Sequence, residues 1–161
     1  MNLKQFYLDK TEVTNRQYHD FLRSLNKADA LLHSPQGWEK SAKEGYAIYP
    51  TGMDNYPVTG VSYEDAAAFA GWVKKRLPTE DEWEAAARGQ RGFRYPWGND
   101  YEAKRANDAN ADPGDVVAVG SFPGDVSPFG ALDMAGNVME WVGTLEGGSP
   151  RRRSSRRTRG S

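Results

Sequence analysis

Asp133 and Glu140 stand either side of a glycine turn in the stretch GALDMAGNVMEWV, Gly130 to Val142. Calcium takes several hard oxygens, mixing carboxylates with carbonyls, and needs a glycine where the loop bends sharply. The plain alternative is that Asp133 caps a turn and Glu140 pairs with an arginine. Other residue types narrow the chemistry by exclusion. The 161-residue chain has no cysteine, so disulfides, thiolate zinc sites and thiol catalysis are out of reach. Its two histidines, His19 and His33, have no third partner in the sequence and predict no metal site. His19 reads as a surface helix residue. Glu80, Asp81, Glu82 and Glu84 form a carboxylate run, which reads as first-turn acids matched to a helix dipole rather than as an acid–base pair. Trp83, Trp97 and Trp141 could line a cleft or fill a core.

These residues must be held by short elements. Thr14 with Gln17, Ser62 with Asp65, and Thr79 with Glu82 have capping-box spacing, and each precedes apolar residues at helical period. They predict helices over about 15–25, 63–75 and 80–88. Gly89 follows the third as a stop. Strand signals are shorter: Phe6 to Val13, Val116 to Phe122, and Gly136 to Val142. The stretch from Asn26 to Val61 reads mostly as loop, with turn clusters PQGW, PTGMDNYP and TGVS. Seventeen glycines and nine prolines agree with an α+β domain rich in turns. Five Trp, eight Tyr and six Phe are enough for an aromatic core.

Charge is unevenly distributed. The net charge is −1, but six arginines (Arg151, Arg152, Arg153, Arg156, Arg157 and Arg159) crowd the last residues. Without them the chain has 15 basic against 22 acidic residues. The expected division is a domain over 1–144 and an Arg-rich, disordered tail over 145–161. That tail could bind nucleic acid or an acidic partner through charge; a charged, solvated terminus is the plainer reading. No apolar run is long enough to span a bilayer, so no membrane association is expected. With no signal-peptide pattern at the start, the chain as given reads as cytoplasmic, or as a fragment of a longer, targeted protein.

Four blocks carry a resemblance: FYLDKTEVTNRQYHDFL (Phe6 to Leu22), RLPTEDEWEAAARG (Arg76 to Gly89), RYPWGND (Arg94 to Asp100), and the Gly136-Asn137-x-x-Glu140-Trp141 segment. In this order they are specific, and the chain resembles the formylglycine-generating enzyme (sulfatase-modifying factor) family from about Phe6 to Val142. The resemblance implies a modified C-type-lectin-like fold with short helices, a small twisted antiparallel sheet and much irregular loop. It also implies a copper-dependent oxidase that converts a sulfatase cysteine to formylglycine through its own cysteine pair. This chain departs there: Leu145 to Pro150 is the nearest match to the family's Arg-Gly-Gly-Ser-Trp motif, and no cysteine follows. Copper is therefore not expected. The family's first strand and last strands have no counterpart here, so the chain reads as truncated at both ends, with a frame-shifted C-terminus as one origin.

The resemblance further implies calcium at the glycine turn, with Asp133 and Glu140 as carboxylate ligands and Gly136 and Val138 as carbonyl ligands. A second family calcium site maps to Asn107 and Asp108, with Asp112 or Asp115. Trp97 and Trp141 are the candidate ligand-binding side chains. The reading is a non-catalytic or degenerate family member, a calcium-stabilised module for a protein or small-molecule ligand. The alternatives are a fragment of an active formylglycine-generating oxidase and a lectin-like display scaffold of a retroelement variable protein.

Overall fold

A computed structural model describes residues 3–108, 115–143 and 151–153. The chain forms two compact units. One is Val13–Leu77; the other combines the described residues before Val13 with those from Pro78 onward. Architecture is α+β, with four short helices and two-stranded antiparallel sheets among much irregular chain.

In the Val13–Leu77 unit, α1 (Asn15–Ser24) starts at a complete capping box, Thr14 with Gln17. Its inward face is Tyr18, Phe21 and Leu22, all buried. Helix α2 (Lys27–Leu32) lies where the sequence reading expects loop. Its cap, Asn26, accepts from the Ala28 and Asp29 amides at 3.0 Å each. Only Ala30 of α2 is buried, which leaves too little apolar periodicity to recognise. Strands β1 (Glu39–Lys40) and β2 (Ala47–Ile48) pair antiparallel. Helix α3 (Tyr63–Trp72) opens on the Ser62–Asp65 capping box. Phe69 from α3 joins Tyr18 and Phe21, with ring centroids 5.4 to 5.9 Å apart. His33 Nδ1 lies 2.8 Å from Asp65, tying the end of α2 to the cap of α3. His19 differs from its surface assignment. Its Nε2 is buried without a hydrogen-bond partner, among the rings of Trp38, Tyr46 and Tyr49.

In the second unit, α4 (Glu80–Arg88) begins at Thr79, whose amide donates to Glu82 at 2.8 Å. The first-turn acids fall where the dipole favours them. Trp83, Ala86 and Ala87 meet Ala131, Met134 and Val142 in a small core, with Phe6 and Leu8 against it. Gly89 ends the helix at φ +65, and a Cβ there would come within 2.8 Å of Pro128 Cγ. Strand β3 (Glu140–Val142) pairs antiparallel with β4 (Arg151–Arg153), placing Glu140 opposite Arg153.

The strand expectations over Phe6–Val13 and Val116–Phe122 are not met: both segments are extended or turning chain without a ladder. Alternation alone does not make a strand when no neighbour supplies its backbone partners. Conversely, Arg151–Arg153 form a strand although their composition reads as coil. Backbone pairing to β3, and an ion pair from Arg153 to Glu80, compensate for low apolar content. Arg156, Arg157 and Arg159 lie outside the described residues.

Candidate functional site

Four carboxyl side chains gather round the turn from Asp133 to Asn137. Asp133 is buried at φ +59, and its Oδ2 accepts from the Gly120 amide at 2.6 Å. Asp125 is 1% exposed; its two oxygens accept from the Ala135 amide at 3.1 and 2.9 Å. Glu140 accepts from the indole nitrogen of Trp83. Glu12, 7% exposed, accepts from Asn137 Nδ2 through Oε1 at 3.1 Å. Its Oε2 is buried without a hydrogen-bond donor.

Asn137 organises the turn. At φ +59 it occupies the left-handed region that asparagine tolerates better than most residues. Its Oδ1 accepts from Asn107 Nδ2 at 3.1 Å and from the Val117 amide at 3.0 Å. Its own amide donates to the Asn107 carbonyl at 2.9 Å. Gly136 is required for a reason other than a left-handed φ. A Cβ there would stand 2.5 Å from the Asn107 carbonyl oxygen and 2.7 Å from its carbon. The glycine lets two backbone segments touch.

The electrostatics follow from crowding acids in a dry place. Burial raises Glu12 to about 9, aided by the charge of Asp133, a hydrogen bond to it, and the charge of Glu140. Burial raises Asp125 to about 7 against the opposing Ala135 amide, with Asp133 and Glu140 adding repulsion. Burial likewise raises Glu140 to about 7, opposed by the Trp83 hydrogen bond. Each group prefers to hold a proton or to meet a cation.

The expected first-site residues are therefore brought near one another in part. Asp133 and Glu140 feel each other's charge, and Gly136 lies between them. Among the described residues, no three acidic or imidazole side chains form a group that could hold an ion by themselves. An ion here would be held by the Asp133 and Glu140 carboxylates with the Gly136 and Val138 carbonyls, the set that the resemblance implies. Asn107, expected in a second site, instead braces the first turn and donates to the Asp115 carbonyl at 2.8 Å. Asp108 is half-buried, and Asp112 lies outside the described residues.

Trp97 stacks on Tyr95 at 5.2 Å between centroids, and the Arg105 guanidinium stands 5.3 Å from the Trp97 ring centroid. Trp141 is half-buried in β3, its Cα opposite Arg152. Neither lines a cleft of about 1000 Å³ found among the described residues. That cleft runs between the extended segment Leu3–Lys10, the end of α4, and Phe129–Ala131. Tyr7 (93% exposed) and Phe129 (65% exposed) flank it. The sequence reading misses Glu12, Asp125, Asn137 and this cleft. A lone acid before Val13 offers a faint signal, and Asp125 offers none.

This short-helix α+β domain, braced by a glycine turn among acids, defines a class. The sequence matches the family described as the sulfatase-modifying factor enzyme 1-like domain over residues 1–160, and the chain belongs to that family. It is similar to the serine/threonine-protein kinase Pkn1 of Chlamydia pneumoniae, 37% identical over 144 residues covering 86% of this chain and 22% of the kinase. It is also similar to the formylglycine-generating enzyme of Thermomonospora curvata, 31% identical over 182 residues covering 88% of this chain and 60% of the enzyme. The inactive C-alpha-formylglycine-generating enzyme 2 of Bos taurus is 31% identical over 184 residues, with 88% and 60% covered. The chain thus spans less than two thirds of each of these relatives. Its fold aligns with the crystal structure of CarF at a TM-score of 0.57 and 26% identity, covering 89% of this chain and 70% of CarF. No described helix is long and apolar enough to cross a membrane.

Proposed function

We propose that this chain is a non-catalytic binding module of the family, stabilised by calcium at the Asp133–Glu140 turn. The observation that carries the first half is the absence of any cysteine, because the oxidase chemistry implied by the resemblance needs a thiolate. An inactive relative at 31% identity supports it. So does the kinase relative, in which the similar region is 22% of the chain: a domain can serve such a protein by binding rather than by reacting. The cleft between Leu3–Lys10 and α4 is the binding surface, since exposed tyrosine and phenylalanine give large contact area at low entropic cost. Trp97 and Trp141 are secondary candidates. Calcium supplies positive charge among the acids, with Asp133, Gly136, Val138 and Glu140 as its expected ligands.

Two experiments test this. Calcium at about 100-fold over its dissociation constant should stabilise the fold by ~2.7 kcal/mol relative to chelator; an unchanged melting temperature would discard the metal. A sulfatase-derived cysteine peptide offered with copper should yield no aldehyde. Aldehyde formation would instead favour the second reading, a segment of an active formylglycine-generating enzyme, which the Thermomonospora relative supports.

A further inference from the structure

We propose that the segment Leu3–Lys10 takes an extended, acidic peptide as an added strand along the cleft. This rests on the binding-module reading above and names the partner's chemistry and its mode of attachment. The backbone carries it first. Phe6 and Leu8 pack against the small core under α4, while Tyr7 between them is 93% exposed. That alternation is the pleat of a strand. The chain makes no turn or bend from Leu3 to Asp9, yet it lies in no ladder. Among the described residues, no amide or carbonyl from Lys4 to Leu8 makes a backbone hydrogen bond. The Lys10 carbonyl does, accepting from the Leu132 amide at 2.7 Å. Every residue from Leu3 to Lys10 lines the cleft. A row of unpaired backbone groups beside open space is a template for one more strand.

Charge selects the partner. Arg88 in the cleft is paired with Glu84, whereas Lys4 and Lys10 are exposed and make no ion pair among the described residues. On extended chain these two ammonium groups bracket a site about 20 Å long. A peptide with a carboxylate at each end of that span meets both. Apolar side chains in its middle meet Phe129, which lines the same cleft and is 65% exposed. A second copy of this chain fits less well. Antiparallel pairing about Tyr7 sets Lys4 against Lys10, like charge opposite like.

The test uses the full chain and two capped peptides of alternating valine and threonine, about eight residues long. One ends in glutamates, the other in lysines. Amide exchange by NMR and calorimetric titration read the binding. Without peptide, the amides from Lys4 to Leu8 should exchange freely. The glutamate-ended peptide should slow alternate ones, those on the edge facing it, by roughly 10-fold or more. N-methylating the peptide's pairing amides should weaken binding roughly 10-fold or more, and N-methylating its other edge should not. Lys4→Glu combined with Lys10→Glu should reverse the preference between the two peptides, moving each affinity roughly threefold to tenfold. Protection of Lys4–Leu8 without peptide, no binding of the glutamate-ended peptide, or no preference between the two overturns the inference. If both N-methylated peptides bind the cleft alike, side chains hold the partner; the inference falls and the binding-module reading stands. Protection confined to residues outside the cleft overturns both. Protection that rises with protein concentration alone makes the occupant a second copy and overturns the acidic partner.

Discussion

Replacing Gly136 with alanine should be among the most damaging single-methyl additions in this chain. The added Cβ would lie 2.5 Å from the Asn107 carbonyl oxygen, 2.7 Å from its carbon and 3.0 Å from its nitrogen. All three are backbone atoms, so no side chain can swing aside. Asn107 itself is 6% exposed and anchored. Its Nδ2 donates to the Asp115 carbonyl at 2.8 Å and to Asn137 Oδ1 at 3.1 Å. Overpacking a tight site costs ~1–3 kcal/mol, and each hydrogen bond stretched by the shift adds ~1 kcal/mol. The sum is ~2–4 kcal/mol. In a domain of this size 1 kcal/mol corresponds to ~2–4 °C, so the melting temperature should fall by ~5–15 °C. Gly71→Ala is the control: Gly71 lies inside α3 with nothing within 4 Å of its Cβ position. It should gain ~0.5–1 kcal/mol from helix propensity. Thermal unfolding by circular dichroism reads both. If Gly136→Ala melts within ~2 °C of wild type, the close approach of the two segments is not what the glycine serves, and the account of the turn is wrong.

Without calcium, stability should fall as pH rises. Glu12 is raised from 4.5 to about 9, Asp125 from 3.8 to about 7, and Glu140 from 4.5 to about 7. The folded state holds these protons more tightly, so the stabilisation is present below the ordinary values and lost as pH climbs through 7 and then 9. Melting in chelator should therefore be lower at about pH 9 than at about pH 6, with saturating calcium flattening the slope; a rising chelator profile refutes this. His19 titrates with the opposite sign. Burial and then Arg23 hold it below 6.5, so its contribution is present above 6.5 and lost as pH falls below it. His19→Phe should reduce the loss of stability on acidification, as followed by melting between about pH 7 and pH 5. Thr79→Ala removes the α4 capping box and should cost ~0.5–2 kcal/mol by denaturant titration; a smaller loss would mean that tertiary contacts hold the helix start.

The helices were legible because capping is local. Thr14, Ser62 and Thr79 each bond a backbone amide three residues away, so side-chain type and spacing suffice. The family blocks were legible for a related reason: residue types at short spacings, such as Gly136-Asn137-x-x-Glu140-Trp141, can be read without the fold. Helix α2 was not, since its stability comes from Asn26 and one buried alanine rather than from periodicity. Strand β3 falls inside the expected Gly136–Val142 segment, but its partner β4 was not legible, because whether Arg151–Arg153 add to an edge depends on what lies beside them. Asp133 and Glu140 could be singled out by sequence, being close in the chain and flanking a glycine. Glu12 could not: it reaches Asn137 across 125 positions, and its missing hydrogen-bond donor exists only once the chain has closed. Residue types and short spacings therefore determined the helices, the family and the exclusion of thiol chemistry. Burial, which sets the price of a charge, is a property of the assembled fold, so only the tertiary structure decided which acids share a site.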